Sequence, residues 1–403
     1  MWGLSTDEAA AAEAAAAAPM LGQVEDWARV NSGSANLEGL TRMAALLADA
    51  FSALPGELTL KEPAPVEAID AGGASRPVAH GRNLRLRVRP DAPLQLLLTG
   101  HMDTVYGADD PFRQLDWPED GVLRGPGVAD MKGGLAVMLA ALRAVEASPL
   151  AGRLGYEVVI NSDEEVGSPG SAALIAQAAR AKTAALTYEP SALPDGTLAG
   201  ARPGSGNYSL VVEGRSAHAG RNPQEGRNAL LAAADLALRL EGAIRPGLSI
   251  NPARIDGGGP NNVVPAHAIL RMNMRPATIE AQAQARQLLE SAVDAVERER
   301  DVRITIHGGF GRPPKPLDTR AERLFRLVAR CGAELGRPVG WKDSGGVCDG
   351  NNIAACGVPV VDTMGVRGGA IHSPDEYLIV ESLAERAQLS ALVMLRLAQG
   401  EAL

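Results

Sequence analysis

Between residues 94 and 190 the chain alternates between two hydrophobic rhythms. "LQLLLTG" (94–100), "LGYEVVIN" (154–161) and "AALTYEP" (184–190) are near-continuous apolar runs of strand length. Between them lie "GGLAVMLAALRAVEAS" (133–148) and "GSAALIAQAARA" (170–181), apolar at helical spacing. Short apolar runs closed by turn residues read as strands buried on both faces. Strands that alternate with helices predict a parallel α/β sheet. Upstream, "LTLKEP" (58–63) and "NLRLRVRP" (83–90) alternate apolar and polar residues, as half-buried strands do.

From Arg202 to Pro316 the order changes. Strand "NYSLVVEG", helix "GRNALLAAADLALRLEGA", strands "GLSINPARIDGG" and "AHAILRMNMRP", the long helix "TIEAQAQARQLLESAVDAVERER" and strand "VRITIHGGF" spell βαββαβ. That is the ferredoxin-like plan, bracketed by the Gly/Pro clusters "ARPGSG" and "GFGRPPKP". Afterwards helix "RAERLFRLVARCGAELG", strand "VPVVDTMG" and a helix from Ser382 return to α/β character. The simplest organisation is one α/β domain, residues 1–202 and 315–403, interrupted by an α+β domain at 203–314.

A length of 403 residues agrees with two domains, and 46% apolar with 22% charged residues describes a globular chain. The net charge of −9, without any basic run, argues against nucleic acid and anionic membrane surfaces as partners. Cys331, Cys348 and Cys356 have neither disulfide-framework nor structural-zinc spacing. The N-terminal stretch lacks a basic region, carries Asp7, Glu8 and Glu13 among its alanines, and is expected to be a helix rather than a leader. No apolar run reaches the roughly 20 residues of a membrane span, and a reducing cytoplasm is the expected location.

Polar chemistry collects just past the apolar runs. "GHMDTV" places His101 and Asp103 there, and "GPGVADMKGG" puts Asp130 directly before a buried helix. "NSDEEVGSPGS" carries Asp163, Glu164 and Glu165, "TYEPS" carries Glu189, and "HSPDEY" carries His372. Loops at the carboxyl ends of parallel strands form the ligand crevice of such sheets. Adjacent carboxylates repel, and burying them unpaired costs several kcal/mol. Divalent cations remove that repulsion, and mixed His/carboxylate ligation suits zinc, with cobalt or manganese as substitutes.

These segments, with "GRSAHAG" and "NVVPAHAILRMNMR", resemble the M20 family of metallopeptidases in order from about residue 21 to the C-terminus. The members most resembled are glutamate carboxypeptidases of the carboxypeptidase G2 type and the acetylornithine and succinyl-diaminopimelate deacylases. The resemblance implies a zinc-exopeptidase-type α/β fold, its mixed, mainly parallel sheet flanked by helices, with the inserted ferredoxin-like domain serving as dimerisation and lid domain. It implies two zinc ions bridged by Asp130, one also held by His101 and Glu189, the other by Glu165 and His372. Asp103 would orient His101 through its second ring nitrogen, and the peptide bond after Asp130 would be cis. Glu164 would be the general base on a water shared by the metals, which answers why two carboxylates stand side by side. Asp163 is left as a solvated turn residue.

In the inserted domain the resemblance implies that His218 reaches the partner subunit's active site and polarises the scissile carbonyl. Asn262 and Arg275 match positions that bind the substrate carboxylate, and Arg312 is a candidate second arginine for it. His80, His267 and His307 are expected to be structural or exposed. Cys348 stands where family members often carry Ser or Thr before Asp, and is read as a small buried cysteine. The expected function is a cytoplasmic, homodimeric exopeptidase that cleaves an amide in a small peptide or N-acyl amino acid and frees an amino acid. An N-acyl-amino-acid deacylase on the same site is the alternative. The rival from another class is a binding protein on this scaffold. An aromatic content of 3% gives no support to an aromatic-lined pocket for a large planar substrate. Phosphoryl transfer and dinucleotide chemistry lack their glycine-rich motifs.

Overall fold

The computed structural model describes residues 3–403. Its central sheet has six strands in the order Glu57–Lys61, Asn83–Val88, Leu154–Asn161, Leu94–His101, Ala184–Thr187 and Val360–Val361. The first three pair antiparallel and the rest parallel, so the sheet is mixed and mainly parallel. Strand periodicity sorts the core. Leu96, Leu98, Val158, Ile160 and Leu186 face the helices Gly133–Glu146 and Glu381–Gln399. Leu97, Val159 and Ala185 face the opposite layer, where Ile175 and Ile353 come from helices Ala172–Ala179 and Asp349–Ala355. With both faces covered, every residue of Leu154–Asn161 is buried, which is why that run does not alternate.

The N-terminal alanine stretch forms two helices rather than one. Thr6–Ala16 starts at a Ser5/Glu8 capping box, and Pro19 separates it from Met20–Ala28. Among the described residues no helix is long and apolar enough to cross a membrane. The sequence reading passed over a small four-stranded sheet of Asp116–Glu119, Val122–Arg124, Tyr377–Ile379 and Gly368–Gly369. It carries the segment around His372 back to the loop before Asp130, by pairing Tyr377–Ile379 with Val122–Arg124.

Within the chain's middle third, strands Ser205–Glu213, Leu248–Gly257, His267–Pro276 and Arg303–Arg312 form an all-antiparallel sheet. The helices Ala229–Glu241 and Ile279–Arg300 cover it, with a hydrophobic core of its own. The chain enters and leaves this unit at one place. Arg202 and Lys315 exchange backbone hydrogen bonds (2.9 and 3.0 Å), and both side chains meet the buried carboxylate of Asp362.

Candidate metal centre

Three of the polar side-chain groups of the centre sit where a buried strand has just ended. His101 is the last residue of Leu94–His101, Glu164 and Glu165 follow Leu154–Asn161 in a single helical turn, and Glu189 follows Ala184–Thr187. Asp130 stands at a kink, φ −115° and ψ 92°, in the turn feeding Gly133–Glu146, and its peptide bond to Met131 is cis. Gly127 opens that turn at φ 73°, where an added Cβ would lie 2.8 Å from Thr104 Cγ2. His372 also adopts a left-handed backbone, φ 61°.

The two oxygens of Asp130 face different histidines. Oδ1 lies 3.0 Å from His101 Nε2 and Oδ2 lies 3.3 Å from His372 Nε2. Glu189 Oε2 is 3.7 Å from His101 Nε2, and Glu165 Oε2 is 3.2 Å from His372 Nε2. Two sets of donor atoms therefore form around one shared carboxylate. Grouping by mutual proximity alone instead gives His101, Asp130 and Glu165 as one set and His101, Glu164 and Glu189 as another. The division by Asp130 oxygens separates the histidines and is the better guide to two cations, because one imidazole nitrogen can ligate only one.

The electrostatics describe a site short of positive charge. Burial pushes Glu164 up to about 7, opposed by the Arg312 charge and reinforced by Glu189. Burial and the Asp130 charge push Glu165 up to about 8. Burial likewise raises Glu189. His372 is raised to about 10 by its contacts with Asp130 and Glu165. Burial opposes protonation of His101, but its contacts with Asp103, Asp130 and Glu189 raise it well above the ordinary range. Burial works against ionisation of Asp130, yet the two histidines hold it below the ordinary carboxylate range. The protein alone thus balances this cluster with protons on histidines and carboxylates. Divalent cations would replace those protons, and the N/O donor set fits them.

Asp103 has a wider role than orienting a ring. His101 Nδ1 is nearest the main-chain carbonyl of Asp103, at 3.0 Å, with the carboxylate Oδ1 at 3.4 Å. The carboxylate accepts the N–H of Glu164 (3.1 Å), the N–H of Glu165 (3.2 Å) and the Ser34 hydroxyl (2.7 Å). It therefore holds the turn carrying both glutamates. Asp163 is not a solvated turn residue: it is 1% exposed and accepts from Gly170 N and Ser171 Oγ, closing the loop behind Glu164.

Arg312 reaches the centre from the end of the inserted sheet, but not as an open clamp for substrate. It is 4% exposed, with Nη1 2.8 Å from Glu164 Oε1 and Nη2 donating to the Glu164 carbonyl (2.9 Å) and Ser168 Oγ (3.1 Å). A buried carboxylate and a buried guanidinium each offset the other's desolvation. His218, Asn262 and Arg275 are exposed. His218 pairs with Val263 in an antiparallel bridge, and Ala219 N donates to the Asn262 carbonyl, so these two loops meet each other. Arg275 donates to Asn273 and to the Gly345 carbonyl. Among the described residues no hydrogen bond or ion pair joins these three side chains to the metal-ligand candidates. Cys348 is 3% exposed, caps a helix through Gly350 N, and burial pushes its thiol up.

Sequence reasoning missed two supporting acids. Asp349 is buried, accepts from Asn161 Nδ2 (2.9 Å) and Ser168 Oγ, and lies 3.6 Å from Arg312. Glu376, 1% exposed, bonds the loop that carries Asp130. An acid so completely buried has a partner to be sought, but its place in "HSPDEY" alone does not say which.

Comparison with known proteins agrees with this arrangement. A family profile described as Peptidase family M20/M25/M40 matches residues 97–396. Carboxypeptidase G2 from Pseudomonas sp. (strain RS-16) is 31% identical over 330 residues, covering 80% of this chain and 78% of that protein. A succinyl-diaminopimelate desuccinylase from Methylobacterium sp. (strain 4-46) is 32% identical, over 76% of this chain and 81% of that protein. Among solved structures, a tripeptidase from Staphylococcus aureus superposes with a TM-score of 0.73 at 22% identity, covering 94% of this chain and 98% of that one. An M20 family metallo-carboxypeptidase from Sulfolobus solfataricus gives 0.71 at 15% identity, over 94% and 98%. These two show a shared fold.

Proposed function

Because this chain belongs to peptidase family M20/M25/M40 and is a metallohydrolase of that family, we propose that it cleaves an amide bond to release a free amino acid, as a glutamate carboxypeptidase-like exopeptidase. The observation that carries the reading is Asp130, whose two oxygens face two histidines, each with its own glutamate. His101, Asp130 and Glu189 would hold one zinc ion; His372, Asp130 and Glu165 would hold the other. Bound there, the ions would polarise the scissile carbonyl and make water more acidic.

Glu164 is the side chain free to move a proton. It takes one from the attacking water and returns it to the departing amine, as a general base and then a general acid. Arg312 keeps its carboxylate fixed at 2.8 Å, and Asp103 fixes its backbone. A deacylase acting on N-acyl amino acids would use the same groups and is the second reading, favoured by the desuccinylase relatives. Dimerisation through the inserted unit is supported by Leu231, Leu238 and Ile244, which are 54%, 68% and 49% exposed at one side of it. In such a dimer His218, Asn262 and Arg275 would be available to the partner's substrate.

The test is amino acid release from α- and γ-glutamyl conjugates, dipeptides and N-acyl amino acids, with and without a chelator. Chelator-sensitive release is expected. Glu164→Gln is expected to retain its metals and lose roughly 10²–10⁴-fold in turnover. Metal retention with unchanged turnover would remove Glu164 from the mechanism. No release from any substrate would favour a binding protein, and a sedimentation mass of one chain would exclude the cross-subunit residues.

A further inference from the structure

Glu376 binds one loop with nearly every acceptor it has. Its main-chain carbonyl accepts from Gly125 N (3.1 Å). Its carboxylate Oε1 accepts from Ala129 N and Asp130 N, both at 3.0 Å, and Oε2 accepts from Gly127 N at 3.1 Å. The Tyr106 hydroxyl, shared with the Ser373 carbonyl, donates to Oε2 at 2.8 Å. The helix Gly133–Glu146 begins only after this loop, so its three amides have no intrahelical partner to turn to. Hydrogen bonds that take up buried amides with no other acceptor are the costly ones to lose. Here they converge on the residues immediately before, and including, the carboxylate that faces both histidines. The buried ammonium of Lys132, bonded to the Val30 carbonyl at 2.9 Å, supplies the nearby positive charge.

We propose that Glu376 is a positioning residue for the metal centre: it sets the backbone of Gly127–Asp130 so that Asp130 presents one oxygen to each cation site. This rests on the reading of Asp130 as the shared ligand. The Glu376 carboxylate makes no hydrogen bond to His101 or His372, and its bonds to Ala129 and Asp130 give it a direct route to the shared ligand. Loss of the carboxylate should weaken both sites together, where loss of an unshared ligand such as Glu189 weakens one. Its replacement by Gln puts an NH₂ donor against the Gly127 or Ala129–Asp130 amides, which cannot accept it.

The experiment has two arms on the full-length chain. In the first, Zn²⁺ affinity is measured by competition with a chromophoric chelator for the parent, Glu376→Gln, Glu376→Asp and Tyr106→Phe. Expected are a loss of about 10- to 100-fold at both sites for Gln, as for other groups that support ligands, partial recovery with Asp, and a smaller loss for Tyr106→Phe. In the second, amide hydrogen exchange is followed in the metal-free protein, where Gly127, Ala129 and Asp130 should exchange at least about tenfold faster in Glu376→Gln. Parent-like affinity at both sites, or unchanged exchange at these amides, overturns the proposal. Should the parent bind no Zn²⁺, the metal reading fails while the exchange arm still decides whether Glu376 holds the loop. Should Glu376→Gln not fold, Glu376→Asp, which keeps the carboxylate but shortens its reach, answers both arms.

Discussion

Replacing Asp362 by Asn tests how the two halves of the molecule are joined. Asp362 has no side-chain exposure, and it receives Arg202 Nε at 2.8 Å, Arg202 Nη2 at 3.1 Å and Lys315 Nζ at 2.8 Å. Arg202 and Lys315 are 8% and 3% exposed and stand on the two crossing segments. Burial disfavours the charge, but the two cations hold the Asp362 carboxyl below its usual range. Removing the anion strands two buried cations, and breaking a buried pair of this kind costs about 3–5 kcal/mol. Equilibrium urea unfolding of the metal-free chain near neutral pH should show that loss. Arg202→Gln should cost a similar amount, and the double variant should fall short of the sum by about 1–3 kcal/mol, the range for residues in direct contact. The carboxyl is depressed, so its contribution is full above the unfolded carboxylate value and fades as acid protonates it; the penalty should shrink at low pH. A change below about 1 kcal/mol for Asp362→Asn, or additive singles, would refute the clamp.

Metal removal should have a pH dependence of definite sign. Glu164 and Glu165, raised from 4.5 to about 7 and 8, and His372, raised from 6.5 to about 10, all stabilise the metal-free fold at low pH and lose that contribution as pH rises. The chelated protein should therefore melt lower at about pH 8.5 than at about pH 6, with added Zn²⁺ restoring more at the higher pH; equal melting at both would contradict it. A cavity of about 380 Å³ beside His372 is lined by Val105, Tyr106, Pro111, Phe112 and Pro374, with Asp110 as its carboxylate. If the acyl group lies in this cavity, neutral apolar acyl groups should be hydrolysed faster than succinyl, whose distal carboxylate would meet Asp110, and kcat/KM ratios on N-acyl amino acids would expose the reverse. A thiol reagent on the native protein should label one equivalent, at exposed Cys356, since Cys331 and Cys348 are buried; rapid labelling of two or three would be inconsistent with that burial.

Much of the fold could be read locally because its elements carry their own periodicity. The buried runs at 94–100 and 154–161 are strands of the main sheet, as is the first part of 184–190, which ends at Thr187, and βαββαβ is the order of the inserted unit. What escaped were elements too short for a period, such as Gly368–Gly369 and Tyr377–Ile379, which exist because distant strands pair with them. Asp163 was misread for a related reason. Nothing in "NSDEEV" tells a solvated acid from one enclosed by Gly170 and Ser171, because the enclosing loop folds back only in three dimensions.

The chain's own order of residues determines the family, the α/β class and which acids and histidines stand at strand ends, since strand length, periodicity and turn chemistry are local. Tertiary structure alone decides which oxygen of Asp130 meets which histidine, that Arg312 is engaged with Glu164, and that Glu376 grips a loop 246 positions away. These are matters of burial and of bond direction at about 3 Å. They arise only when segments far apart in sequence are packed so closely that each polar atom must take a partner.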